Sequence, residues 1–261
     1  MTIIPGATDP TFVLTTDQLG QRLFCKVTAQ NDFGTAAQNS NVVGPVTDPA
    51  PAFTTWDPAN KTTNMELSNG NLTARTDDTA AFARQTARGT VSRSSGKRYF
   101  ECRLDSVGDL AAIESRISIG ICDSVFPIVD NTQPPGVIDS LGCILDLGSG
   151  FSGLGIAQAG GVGWSTNAGT RGIDGDVIGC AVDLDLNLAW WYNNGVILVA
   201  GADPTAGAAG NGLDWGSTAG AAMFPCITQT WQAVVPVIAT LNAGSTPFVL
   251  APLPTGFVAW G

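Results

Sequence analysis

Histidine is absent from this chain of 261 residues. Its absence removes Ser-His-Asp and Cys-His catalysis and most zinc hydrolase chemistry, each of which needs an imidazole as base or ligand. Glutamate is scarce too, at positions 66, 101 and 114 only, and none lies in an aromatic-rich motif of the kind that flanks a scissile glycosidic bond. No C-x-x-C pair occurs among Cys25, Cys102, Cys122, Cys143, Cys180 and Cys226, which excludes zinc ribbons and dithiol redox motifs. There is no G-x-S-x-G elbow and no Walker loop, and "SGLGIAQAGG" at 152–161 puts Gln158 where a dinucleotide fingerprint needs its third glycine. Apolar runs of about 18 residues are missing, so no membrane-spanning helix is expected, and "MTIIPGATDP" has no basic start or apolar core of a signal peptide. Positive charge is missing from the second half. Of twelve basic residues eleven fall at or before Arg116, and Arg171 alone faces ten aspartates in the last 145. Such a surface repels phosphate backbones, so nucleic acid is not an expected partner.

What is present is glycine, proline and period-2 alternation. The 32 glycines and 15 prolines are spread along the chain, as in a protein of many short strands and turns. In "GDVIGCAVDLDLNLAWWYNNG" (175–195), Asp183, Asp185 and Asn187 fall at every second position like the start of a calcium loop. The sixth loop position is Leu188 rather than Gly, however, and the twelfth is Asn194 rather than Glu. Ile178, Cys180, Val182 and Leu184, then Leu188, Trp190 and Tyr192, alternate with their neighbours. The stretch is therefore read as two strands, 177–184 and 188–192, with the carboxylates facing water or capping the turn. No metal site and no cofactor is expected. The cysteines, set among apolar neighbours, are expected to be mostly reduced core thiols.

Further strands are expected at 65–67, 72–74, 81–83, 98–104, 116–121, 143–147, 154–158, 226–229, 234–241 and 257–260, and no segment of helical length has a 3.6-residue apolar period. The class is all-β, an antiparallel sandwich. Prolines 45, 49 and 51 mark a linker at 47–51, which divides a front module, 1–46, from a domain at 52–261. The front module has strand-like runs at 11–15, 22–31 and 35–44. Long Gly- and Asp-rich connections at 105–115, 123–142, 159–174 and 200–222 are where function is sought.

Five pieces in order, "SGKRYFECRL" (95–104), "ISIGICD" (117–123), "GDVIGCAVDLD" with "AWWYNNG" (175–195), "FPCI" (224–227) and "PFVLAPLPTGFVAWG" (247–261), resemble a SPRY domain. The ending and "GADPTAGAAGNG" (201–212) are more similar to the bacterial and phage branch than to the animal ubiquitin-ligase branch. This resemblance implies a bent, concanavalin-like β-sandwich that binds partners through loops at one edge, without catalysis. The stretches "IPGATDPTFVLTTDQLGQRLFCKVTAQNDFGTA" and "SNVVG" resemble the C-terminal half of a bacterial immunoglobulin-like domain. The front half is absent, and Leu23 stands where many sandwiches place a corner Tyr.

The candidate ligand-binding residues are loop residues: Trp164 and Arg171, with Asp130, Asn131, Asp203 and Trp215. Trp and Arg together are the usual composition of an interface anchor. The competing reading makes Trp164 a core strand residue and Arg171 a solubilising charge. Trp190 and Trp191 point to opposite faces of a strand, so one is expected in the core and the other, with Trp215, exposed. The expected function is a binding module on a bacteriophage or bacterial surface structure that recognises a host protein or glycan. The expected location is a virion or extracellular surface assembly, with residues 1–46 joining another structural protein or a second copy of the chain. The alternatives are a purely structural virion component and a glycan-processing enzyme.

Overall fold

The computed structural model describes residues 22–40, 42, 53–76, 84–107, 116–129, 142–148, 156–159, 162–165, 172–216, 220–230 and 236–261. The chain divides into two compact units, Met1–Ala52 and Phe53–Gly261. In the first, β1 (Lys26–Asn31) and β2 (Gly34–Asn39) form a two-stranded antiparallel hairpin in register from Lys26↔Asn39 to Asn31↔Gly34. The Asn31 side chain caps its turn by accepting from the Phe33 N–H at 2.9 Å. Every residue of both strands is exposed. The run expected at 11–15 and the linker at 47–51 lie outside the described residues.

The second unit is a sandwich of two antiparallel sheets. Its strands are β3 (Trp56–Lys61), β4 (Met65–Ser68), β5 (Thr73–Thr76), β6 (Arg84–Gly89), β7 (Lys97–Val107), β8 (Arg116–Asp123), β9 (Gly142–Gly148), β10 (Ile156–Ala159), β11 (Val162–Ser165), β12 (Val177–Asp183), β13 (Leu188–Asn193), β14 (Val196–Ile197), β15 (Leu213–Asp214), β16 (Met223–Thr230), β17 (Val237–Asn242) and β18 (Val258–Ala259). One sheet runs β11-β10-β9-β8-β16-β6-β3. The other runs β14-β13-β12-β7-β17-β5-β4, with β15 beside β13 and β18 parallel to β7.

Alternation explains the layering. Phe100, Cys102 and Leu104 of β7 face Ile117, Ile119 and Ile121 of β8 across the main core, which Trp56, Trp191, Ile227 and Trp260 also fill. Tyr99, Ala181 and Trp190 are paired neighbours on the opposite face of the second sheet. There they form a second apolar layer with Leu188, Tyr192 and Phe257, roofed by Phe248, Leu250 and Leu253 of the C-terminal segment.

The two adjacent tryptophans do point apart, but neither is exposed: Trp191 donates its indole N–H to the Ile119 carbonyl in the main core, and Trp190 donates to the Gly210 carbonyl under the roof. Several strands were not expected. β3 contains Pro58, which is tolerated at a sheet edge where β3 and β6 also shift register. β6, "RQTARG", buries Gln85 and Thr86, so its faces carry no apolar alternation to read. β11 and β15 fall inside segments expected to be loops, as does a 3-10 turn at Pro204–Ala209. The expected run 81–83 lies outside the described residues, and the strand of that region is β6.

Cys102, Cys122, Cys180 and Cys226 are reduced thiols buried in the sandwich, whereas the Cys25 thiol is reduced and exposed. Burial pushes the Cys102 and Cys122 thiols well above their ordinary range, which makes them inert core groups.

Candidate functional site

Register places one set of connections at a common end of the sandwich. β6 ends at Gly89 beside the start of β3, β16 begins at Met223 opposite the end of β8 at Asp123, and β7 begins at Lys97 opposite the end of β12 at Asp183. The β6–β7 connection (90–96), the segment after β8, the β12–β13 turn and β15 therefore share this end.

The "DLDLN" motif builds the β12–β13 turn. Asp183 is buried, and its Oδ1 accepts from the N–H groups of Asp185 and Leu186, each at 3.1 Å. Its Oδ2 lies 3.5 Å from the Lys97 ammonium, close enough to neutralise its charge but without a hydrogen bond. Asp185 accepts from the Gly96 N–H at 3.0 Å, tying the turn to the β6–β7 connection. Asn187 takes a φ of +58°, the left-handed conformation that Asn tolerates in turns. Each residue of the motif thus has a turn-forming role.

The 3-10 turn is capped by Asp203, whose Oδ1 accepts from both the backbone N–H and the hydroxyl of Thr205. Those two bonds hold the Asp203 carboxyl below its ordinary range. Asp203 is exposed, but its carboxylate is engaged locally. Trp215, expected to be exposed, is only 4% accessible and packs in the main core, because its backbone N–H donates to the Asn187 carbonyl and draws the segment onto the sandwich end. Trp164 lies on β11, an edge strand of the first sheet, opposite Ala157. Asp130, Asn131 and Arg171 lie outside the described residues.

Apolar side chains are presented here. Val125 (72% exposed) and Val129 (58%) alternate with buried Phe126 and half-buried Ile128, which pack on Cys122 and Cys226. This segment is fixed by Arg88, whose guanidinium donates to the carbonyls of Asp123 and Ser124 and to Asn60 and lies 4.6 Å above the Phe224 ring. Leu186 at the tip of the β12–β13 turn is 44% exposed.

Two functional candidates escaped the sequence reading. Arg93 and Met223 exchange backbone hydrogen bonds, each at 2.8 Å, so Arg93 shares the inward-facing side of Met223. Arg98 precedes Phe100 by two residues on β7 and so also faces inward. Burial and the neighbouring Arg98 guanidinium together lower the pKa of Arg93 from its ordinary value. The signal was the run "SRSSGKR" (92–98), three basic residues within six positions leading into the strand expected at 98–104.

Comparison with solved structures defines the class: the second unit has the fold of a SPRY domain. The crystal structure of the SPRY domain of human HERC1 matches with a TM-score of 0.51 at 12% identity, over 74% of this chain and 99% of that one. The TRIM65 PSpry domain matches with a TM-score of 0.46 at 13% identity, over 73% of this chain and 92% of that one. No protein-family model and no curated protein matches the sequence.

Proposed function

We propose that the chain is a non-enzymatic binding module of a bacteriophage or bacterial surface structure, such as a tail fibre, spike or decoration protein, that recognises a host protein or glycan through loops of its sandwich. The observation carrying this reading is the gathering, at one end of a rigid SPRY-fold sandwich, of loops that present Val125, Val129 and Leu186 to solvent. The lack of histidine argues in the same direction, against hydrolytic chemistry. Residues 1–46 serve as the attachment module. Among the described residues the unit shows only the wholly exposed β1–β2 hairpin, and a two-stranded hairpin is marginal in water, which supports completion by a strand or sheet from a second chain. That same exposed hairpin favours the second reading, a decoration protein that binds its particle and no host molecule.

The test is adsorption of the labelled chain to host cells and to purified surface glycan, with product release assayed in parallel. Saturable adsorption without release is expected. Leu186→Asp with Val125→Asp should abolish it if the shared end is the contact, and Trp164→Ala with Arg171→Ala if those two residues form the contact. Failure of the unmodified chain to adsorb at all would leave the decoration role, and release of sugar would establish an enzyme.

A further inference from the structure

We propose that Arg93 and Arg98 form an oxyanion-binding fork at the mouth of the sandwich, one that takes a carboxylate or phosphate group of the ligand. The two side chains come from opposite layers. Arg98 projects inward from β7 of the nine-stranded sheet, while Arg93, bridged to Met223, faces inward from the side of the seven-stranded sheet. Both are half-buried. The Arg98 guanidinium lies over Gly96, whose φ of +78° and lack of a side chain leave it room. Its Nε–H is shut away from water and meets no acceptor among the described residues. Of the Arg93 guanidinium's donors, one reaches the Ser92 carbonyl at 3.2 Å.

Two neighbouring guanidiniums with no counter-ion among the described residues are unusual in a chain with 22 carboxylates and a net charge of −10. The described carboxylates at this end are engaged elsewhere: Asp183 with Lys97 and the turn, Asp185 with the Gly96 N–H, Asp123 with the Phe126 N–H and Asp214 with the Gly216 N–H. Ion pairs among the described residues are Arg75–Glu66, Lys97–Asp183 and Arg103–Asp105, and neither fork arginine belongs to one. Guanidinium is the side chain that grips a planar or tetrahedral oxyanion through paired N–H donors. Ser94 and Ser95 lie exposed on the loop between the two arginines. An anion seated here would meet the orphaned Arg98 donor and relieve the repulsion between the two cations. It would also fasten the β6–β7 connection to both sheets.

For its biological meaning the fork rests on the binding-module reading, but its measurement does not. The full chain is titrated at low ionic strength with inorganic phosphate and, separately, with acetate, each against chloride at matched ionic strength, following the Nε–Hε resonance of Arg98 and the melting temperature. A saturable shift of that resonance and a rise of about 2–5 °C in melting temperature are expected with at least one of the two anions. Phosphate acting alone points to a phosphorylated ligand, and acetate acting at similar or lower concentration points to an acidic segment. Arg93→Gln, which alters the less enclosed partner and leaves the Arg98 reporter in place, should weaken the effect about tenfold or more, and Arg98→Gln should abolish the thermal effect. If neither anion shifts the resonance beyond chloride, or if Arg93→Gln responds like the unmodified chain, the fork is wrong. A failed fork leaves host adsorption to be judged on its own assay, and a chain that binds phosphate without adsorbing sinks the other reading alone.

Discussion

The phenol of Tyr99 donates to Glu101 Oε1 at 2.9 Å, and Glu101, itself buried, also accepts the N–H groups of Val249 and Leu250, each at 3.0 Å. Room for the ring exists because residue 179 is glycine. A Cβ there would meet the Tyr99 hydroxyl and lie 2.8 Å from Cζ. Gly179→Ala is therefore expected to cost about 2 kcal/mol or more through overpacking, read as a lowered midpoint in urea. Burial and the Glu101 charge raise the Tyr99 pKa far above the ordinary phenol range, and burial with the Asp203 charge raises that of Tyr192 to about 12. A folded-state pKa above the unfolded value means that the stabilisation is complete below about pH 10 and is lost as pH climbs through the folded value. These two are the only tyrosines in the chain. The absorbance of ionised phenol at 295 nm should therefore stay low at pH 10–11 in the folded protein and rise only with unfolding, and the melting temperature should fall steadily above pH 10. A phenol titration centred near pH 10 in the folded chain would contradict the packing of both rings.

Among the elements, the C-terminal segment behaves as a strap across the second sheet. It contributes Phe248, Leu250 and Leu253 to the layer over Tyr99, Trp190 and Tyr192, and the Glu101 carboxylate latches its backbone. Glu101→Ala removes the acceptor for three buried or half-buried donors at once. The expected cost is about 3–5 kcal/mol, and the amides of Val249 and Leu250 should exchange with solvent before β7 opens. Equal protection of those amides in the variant would show that apolar packing alone holds the strap. The β12–β13 turn is the other element-scale device. Asp183→Ala deletes two turn hydrogen bonds and the counter-charge of Lys97, so a loss of about 2–3 kcal/mol is expected in thermal or urea unfolding. Asp185→Ala, at an exposed position with one bond to Gly96, should cost about 1 kcal/mol.

At the scale of the whole molecule, the second unit holds both apolar layers within Phe53–Gly261. Deleting residues 1–46 is expected to leave a folded monomer whose melting temperature stays within about 2 °C of that of the full chain while its assembly is lost; assembly that persists would move the attachment role elsewhere. What the sequence by itself determined is the local part. Period-2 alternation set the strands of 98–104, 116–121, 177–184 and 188–192 and with them an all-β sandwich, and the missing Gly and Glu marked "DLDLN" as a turn rather than a calcium loop. Tertiary structure alone decided what lies over each face. Alternation sends Trp190 and Trp191 to opposite sides but cannot say that residues 248–253 return to cover the outer one, nor that Trp215 is drawn into the core. β6 was illegible because its buried face is polar, carrying Gln85 rather than a run of apolar residues. Arg93 and Arg98 could not be paired from sequence because only the bridge to Met223 and the start of β7 turn both inward, from different sheets, toward the same end. A strand's sequence encodes which side chains share a face, whereas the covering of that face depends on segments up to about 150 residues away, whose approach is set by sheet order.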